Sequence, residues 1–157
     1  MNQFSSVDIA GILPHRYPFL FVDRVSEFVP GQRIVAMKHF SLDDEAARGN
    51  PPGVANIPTG VILELVTQVG AVLVMERPEM AGKIAMILNI PSARIIKPIE
   101  AGDTVRVEAE VVKMKAQFGE LRGSILRDGE LVAEGHMRFG IANAEDVMPG
   151  RGDRPSI

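Results

Sequence analysis

The stretch from Thr59 to Met75 constrains this chain more than any other part of it. It follows Pro58 and stops before Pro78, a natural start and stop for a helix. Its side chains are apolar on every face except at Glu64, Thr67 and Gln68. A helix that is hydrophobic all round has to be covered on all sides. A bilayer is the competing cover, but the run is short for a membrane span and carries a carboxylate in its first half. The pattern therefore predicts a long buried helix over residues 59–76, and the rest of the chain has to wrap it.

The remaining sequence suits that task. Phe19 to Phe28 and Arg33 to Phe40 read as strands joined at Pro30-Gly31. After the helix, 83–90, 93–97, 104–115, 120–127 and 130–141 are strand-like. Arg106, Glu108 and Glu110 alternate there with Val105, Val107, Ala109 and Val111, as in a half-buried strand. Asp128-Gly129 marks a hairpin turn. At the N-terminus, Ser5 or Ser6 caps a short helix through Leu13, with Asp8 in its first turn. The class is α+β, a curved antiparallel sheet around one helix. One sheet leaves part of the helix and a strand edge uncovered, so at least a dimer is expected. The 157 residues, 46% apolar and 24% charged, are read as a single domain over 1–147 with a loose polar tail over 148–157.

Totals exclude several functions. A net charge of −3 gives no electrostatic ground for nucleic acid or an anionic membrane surface. The absence of cysteine removes disulfides, thiolate catalysis and Cys-ligated zinc, and suits a cytoplasmic setting. Met1 to Ser6 lacks the basic and apolar pattern of a signal peptide. His15, His39 and His136 have no metal-ligand spacing, so neither metal nor cofactor is expected.

Glu64 is the first candidate for chemistry, because a carboxylate on an apolar helix is costly unless paired or used. A hydrogen bond to Gln68, one turn on, would instead make it structural. Pro58, Thr59 and Gly60 form the second candidate. The first backbone N–H groups of a helix lack internal partners and can receive a carbonyl oxygen that gains negative charge. Such a carbonyl would sit near Glu64, about a turn and a half along the helix. Arg94 and Lys97, flanking Pro98, are candidates for a phosphopantetheine or an acidic carrier, against the plainer reading of a solvated basic pair. The eight methionines suit a core, or an adaptable acyl tunnel.

Leu13-Pro14-His15-Arg16-Tyr17-Pro18-Phe19-Leu20-Phe21-Val22-Asp23-Arg24 resembles the opening signature of the bacterial 3-hydroxyacyl-[acyl-carrier-protein] dehydratases. Gly49, Pro52, Pro58, Glu64 and Gln68 resemble that family's active-site segment, Arg94 to Asp103 its strand entry, and Gly123 to Glu134 its closing hairpin. The resemblance implies a hotdog fold, dimers that often form trimers of dimers, and a site shared across the dimer interface. It implies an acyl thioester substrate, on acyl carrier protein or coenzyme A, in fatty-acid or related acyl-chain biosynthesis. Glu64 takes the place of the acid, Pro58-Thr59-Gly60 that of the carbonyl-binding helix start, and His15 belongs to the opening signature in a structural role. The family's catalytic His is Asn50 here, followed by Pro51. A carboxamide is no general base.

Three readings stay open at this level. One is a (3R)-hydroxyacyl dehydratase with a non-standard site. The second is a thioesterase in which Glu64 activates water or attacks the carbonyl. The third is a non-catalytic subunit that completes a His-containing partner's site in a mixed dimer.

Overall fold

The computed structural model describes residues 3–44 and 56–148. In chain order these form α1 (Ser6–Ile12), β1 (Arg24–Val29), β2 (Arg33–His39), α2 (Thr59–Met75), a 3-10 turn (Pro78–Met80), β3 (Lys83–Ile95), β4 (Thr104–Lys115), β5 (Phe118–Arg127), β6 (Glu130–Asn143) and α3 (Ala144–Val147). The strands make one six-stranded antiparallel sheet in the order β1-β2-β4-β5-β6-β3. The hotdog architecture expected from the sequence is the one observed. Asn50 and the tail from 149 onward lie outside the described residues.

Helix α2 is the core. Ile62, Leu65, Val66, Val69, Val72 and Leu73 are all buried and form one continuous apolar stripe, and Gly70 and Val74 are buried on another side of the helix. The sheet bends around it, contributing Ile34, Val105, Val107, Ile125 and Met137 to the same apolar cluster. The start of α2 is pinned to the β3–β4 connection by Ile57 N–H, which donates to the Ile99 carbonyl at 2.7 Å. At the other end of the chain, Ser5 caps α1 in a reciprocal capping box with Asp8.

Two strand assignments need correction. The strand expected from Phe19 begins only at Arg24. Phe19 lies in a bend, Leu20 and Phe21 have no regular structure, and the backbone of Phe19 and Phe21 is met by a side chain of α2, as described below. The segments 83–90 and 93–97 form one strand, β3, with register shifts at Ile87/Asn89 and Asn89/Ser92. Pro91 falls in the second shift, where a missing N–H costs the ladder nothing.

The two sheet edges differ. Along β1, Phe4 and Val25 exchange backbone bonds of 3.3 and 3.0 Å, which covers part of that edge. Among the described residues nothing pairs with the outer side of β3, and Ile87, Leu88 and Ile90 stand exposed on it.

Candidate functional site

Glu64 projects from the second turn of α2 into a small network. Its Oε1 accepts from Gln68 Nε2 at 3.0 Å and faces His15 Nε2 at 3.3 Å. Its Oε2 lies 2.9 Å from the Thr67 hydroxyl, which is also 2.8 Å from the Glu64 backbone carbonyl. Thr67 has one proton to give. Donated to Oε2, it holds the carboxylate. Donated to the backbone carbonyl, it leaves a lone pair that can accept from a protonated Glu64. The hydrogen bond therefore survives either protonation state, which suits a group that gains and loses a proton.

Gln68 explains how a residue near the N-terminus reaches this network. It is buried, and its amide makes three bonds. Besides the bond to Glu64, Nε2 donates to the Phe19 carbonyl at 2.8 Å, and Oε1 accepts from Phe21 N–H at 2.9 Å. The side chain thus replaces a neighbouring strand for residues 19–21 and clamps the opening segment onto α2. Upstream, Arg16 bonds to the carbonyls of Leu13 and His15 at 2.9 and 2.7 Å, and Leu13 is itself buried. Held from both sides, the His15 ring meets Glu64 and lies 6.1 Å from the Phe19 ring. Its Nδ1 is buried and has no hydrogen-bond partner among the described residues.

These groups close one end of a cleft of about 290 Å³. His15, Glu64, Thr67 and Gln68 make the polar end, and Val74, Met86, Ile87, Leu121 and Phe139 line the rest. The cleft follows α2 from Glu64 to Val74, ten residues or about 15 Å of helix. Among the described lining residues, His15 and Glu64 alone are ionisable. Such a cavity accepts a flexible apolar chain and presents acid–base groups at one end of it.

The helix start lies on the same stripe of α2, since Gly60 precedes Glu64 by four residues. Pro58 is the N-cap and offers no side-chain cap. Its carbonyl accepts from Val61 and Ile62 N–H at 2.9 and 3.1 Å. The N–H groups of Thr59 and Gly60 come before any helical acceptor. Both residues are exposed, and a Cβ placed on Gly60 would meet nothing within 4 Å.

Gly60, Glu64 and Gln68 therefore recur along one face of α2, with Pro58 and Thr59 at the start of the same helix. Arg94 and Lys97 do not join them. Arg94 is exposed and Lys97 half-buried, and each is paired, Arg94 with Glu134 and Lys97 with Glu130 at 2.6 Å. Arg94 borders a separate hollow with Arg122 and His136. His39 bonds to Thr104 at 2.9 Å and His136 to Glu120 at 3.1 Å, both away from the cleft. The addition that sequence reasoning did not make is His15 at Glu64. The opening signature marks the residue, but no local pattern reveals a contact set by a clamp so distant in sequence.

Comparison with known proteins matches a model described as a FabA-like domain to residues 13–136. Among curated relatives, the 3-hydroxyacyl-[acyl-carrier-protein] dehydratase FabZ of Symbiobacterium thermophilum is 40% identical over 140 residues, covering 89% of this chain and 99% of that protein. The protein of the same name from Herpetosiphon aurantiacus is 39% identical over 136 residues, covering 87% and 96%. Among solved structures, the dehydratase heterocomplex ApeI:P from Xenorhabdus doucetiae superposes with a TM-score of 0.74 at 17% identity, covering 88% of this chain and 93% of that one. A thioesterase from Haemophilus influenzae gives a TM-score of 0.66 at 16% identity, covering 89% and 92%. At such identities the two structural likenesses speak for the hotdog fold alone.

Proposed function

The chain belongs to the FabA-like family, among the 3-hydroxyacyl-[acyl-carrier-protein] dehydratases, and from that premise we propose that it removes water from a (3R)-hydroxyacyl thioester with Glu64 as the acid. The single observation that carries this reading is the cleft, with one ionisable end and apolar walls running along α2. The acyl chain lies along those walls. The thioester carbonyl faces the N–H groups of Thr59 and Gly60, where charge that develops on its oxygen is stabilised. Glu64 gives its proton to the hydroxyl at C3, which leaves as water. Gln68 keeps Glu64 in place and Thr67 accommodates both of its protonation states. Asn50, at the position of the family's His in the sequence, is a carboxamide and takes no proton.

The carrier of the thioester, acyl carrier protein or coenzyme A, stays outside the cleft, with Arg94 on β3 and Lys97 just beyond that strand as the basic groups proposed to meet it. Two copies join along the free edge of β3, which buries Ile87, Leu88 and Ile90 and brings a second chain to the cleft. Among the described residues no helix is long and apolar enough to cross a membrane. The cytoplasm, where acyl carriers are elongated, is the proposed setting.

Glu64→Gln tests the acid directly. It keeps the shape and the hydrogen bonds of the network but has no proton of suitable acidity to give. Dehydration is expected to fall by about 10²- to 10⁴-fold while thioester binding persists. An unchanged rate would remove Glu64 from the mechanism.

A further inference from the structure

Dehydration of a 3-hydroxyacyl thioester needs a base at C2 as well as an acid at the C3 hydroxyl. Asn50 has no useful proton affinity. Glu64 cannot be ready to donate and ready to accept at the same moment. Among the described residues, His15 is the other cleft side chain that takes up and releases protons. Its Nε2 stands 3.3 Å from Glu64 Oε1, with the two side chains 31% and 25% exposed. Both are therefore open enough to meet substrate. The second ring nitrogen, Nδ1, is buried, so proton exchange with the cleft runs through Nε2. The imidazole has also been placed rather than left loose, by the Gln68 clamp on Phe19 and Phe21 and by Arg16 on the His15 carbonyl. Glu64 is the charged group that faces the ring from α2, while Arg16 of its own segment bonds to main chain only.

Resting on the dehydratase reading, we propose that His15 is the catalytic base of this chain and works with Glu64 as a proton-transfer pair. The C2–H bond breaks and its proton goes to His15 Nε2. The electron pair left on C2 forms the C2=C3 double bond. The C3–O bond breaks, the hydroxyl takes the Glu64 carboxyl proton, and water leaves. The His15 imidazolium then returns its proton to the Glu64 carboxylate across the 3.3 Å contact, which restores the starting state. Base and acid so close together act on neighbouring carbons from one face, so the elimination is syn.

The test uses the full chain and a 3-hydroxyacyl-coenzyme A substrate. His15→Gln preserves a hydrogen-bond donor toward Glu64 but cannot take the proton. Its kcat is expected to fall by about 10²- to 10⁴-fold, with KM and melting temperature close to those of the parent. Added imidazole should raise the rate of His15→Ala. A purely structural role for His15 predicts no rescue by imidazole. A His15→Gln chain that keeps its kcat, while the parent makes enoyl product, overturns the base and leaves the dehydratase reading standing. A parent chain that binds the thioester and makes no enoyl product overturns the dehydratase reading, and His15 as base goes with it.

Discussion

Gln68 decides where the opening segment goes, and with it the geometry of the site. Replacing it with Ala removes the partners of Phe21 N–H and the Phe19 carbonyl and frees one side of Glu64. An unsatisfied buried backbone group costs about 1–3 kcal/mol. Gln68→Ala should therefore lower stability in denaturant melts by about 2–4 kcal/mol and slow dehydration as well, because the His15 segment loosens. An unaltered midpoint would mean that residues 19–21 find partners elsewhere. A different residue governs acid stability. Glu108 is joined to Arg106 at 2.8 Å and to Arg33 at 3.2 Å, and both arginines also reach Glu27. Burial pushes the Glu108 carboxyl up, but the hydrogen bonds from Arg106 and Arg33 outweigh it and hold the group below its ordinary value. The stabilisation from a depressed carboxylate is present above its unfolded-state value, near pH 4.3, and is lost as the pH falls through the folded one. Glu108→Gln should flatten the acid limb of melting temperature against pH and cost about 0.5–1 kcal/mol at neutral pH. A limb as steep as the parent's would contradict this. At the residue scale the i,i+4 bond between Glu64 and Gln68 is legible in the sequence. The backbone duty of Gln68 is not, because it joins segments that only the fold brings together.

At the element scale, α2 sets the constraint and the sheet adapts to it. Gly123 on β5 allows that close approach. A Cβ there would come within 2.2 Å of Val66 Cγ1 and 3.4 Å of the Glu108 carbonyl. Val66 is β-branched and buried, so it has little freedom to step aside. Gly123→Ala should destabilise by about 1–3 kcal/mol through overpacking, measured by denaturant unfolding. A neutral result would show slack between helix and sheet. The position of α2 reads from the sequence almost to the residue, because Pro58 and Pro78 bound a run that is apolar but for Glu64, Thr67 and Gln68. The strands are less legible at their ends. Residues 19–21 carry strand-like side chains, yet a glutamine meets their backbone where a neighbour strand would. Pro91 reads as a break between strands, yet a register shift on an edge absorbs it. In both places tertiary partners, which a local pattern does not encode, decide where a ladder begins and ends.

For the whole molecule, the uncovered side of β3 is the consequence of wrapping one helix with one sheet. Its exposed Leu88 and Ile90 belong to a long edge strand with unpaired backbone groups, which proteins normally cover or blunt. Leu88→Glu with Ile90→Glu should shift the chain from dimer to monomer in light scattering and take most of the activity with it, since β3 also walls the cleft. A monomeric parent would remove the β3 edge as an interface. The sequence makes the need for a partner legible, through the uncovered helix and edge, but not which edge stays free, because the Phe4 bridge to Val25 belongs to the fold. The most direct test of the central claim is to give the purified chain a 3-hydroxyacyl thioester and follow enoyl-thioester absorbance and free thiol together. Enoyl product with no thiol released is the expected result. Thiol release without enoyl product would contradict it and make the same cleft the site of a thioesterase.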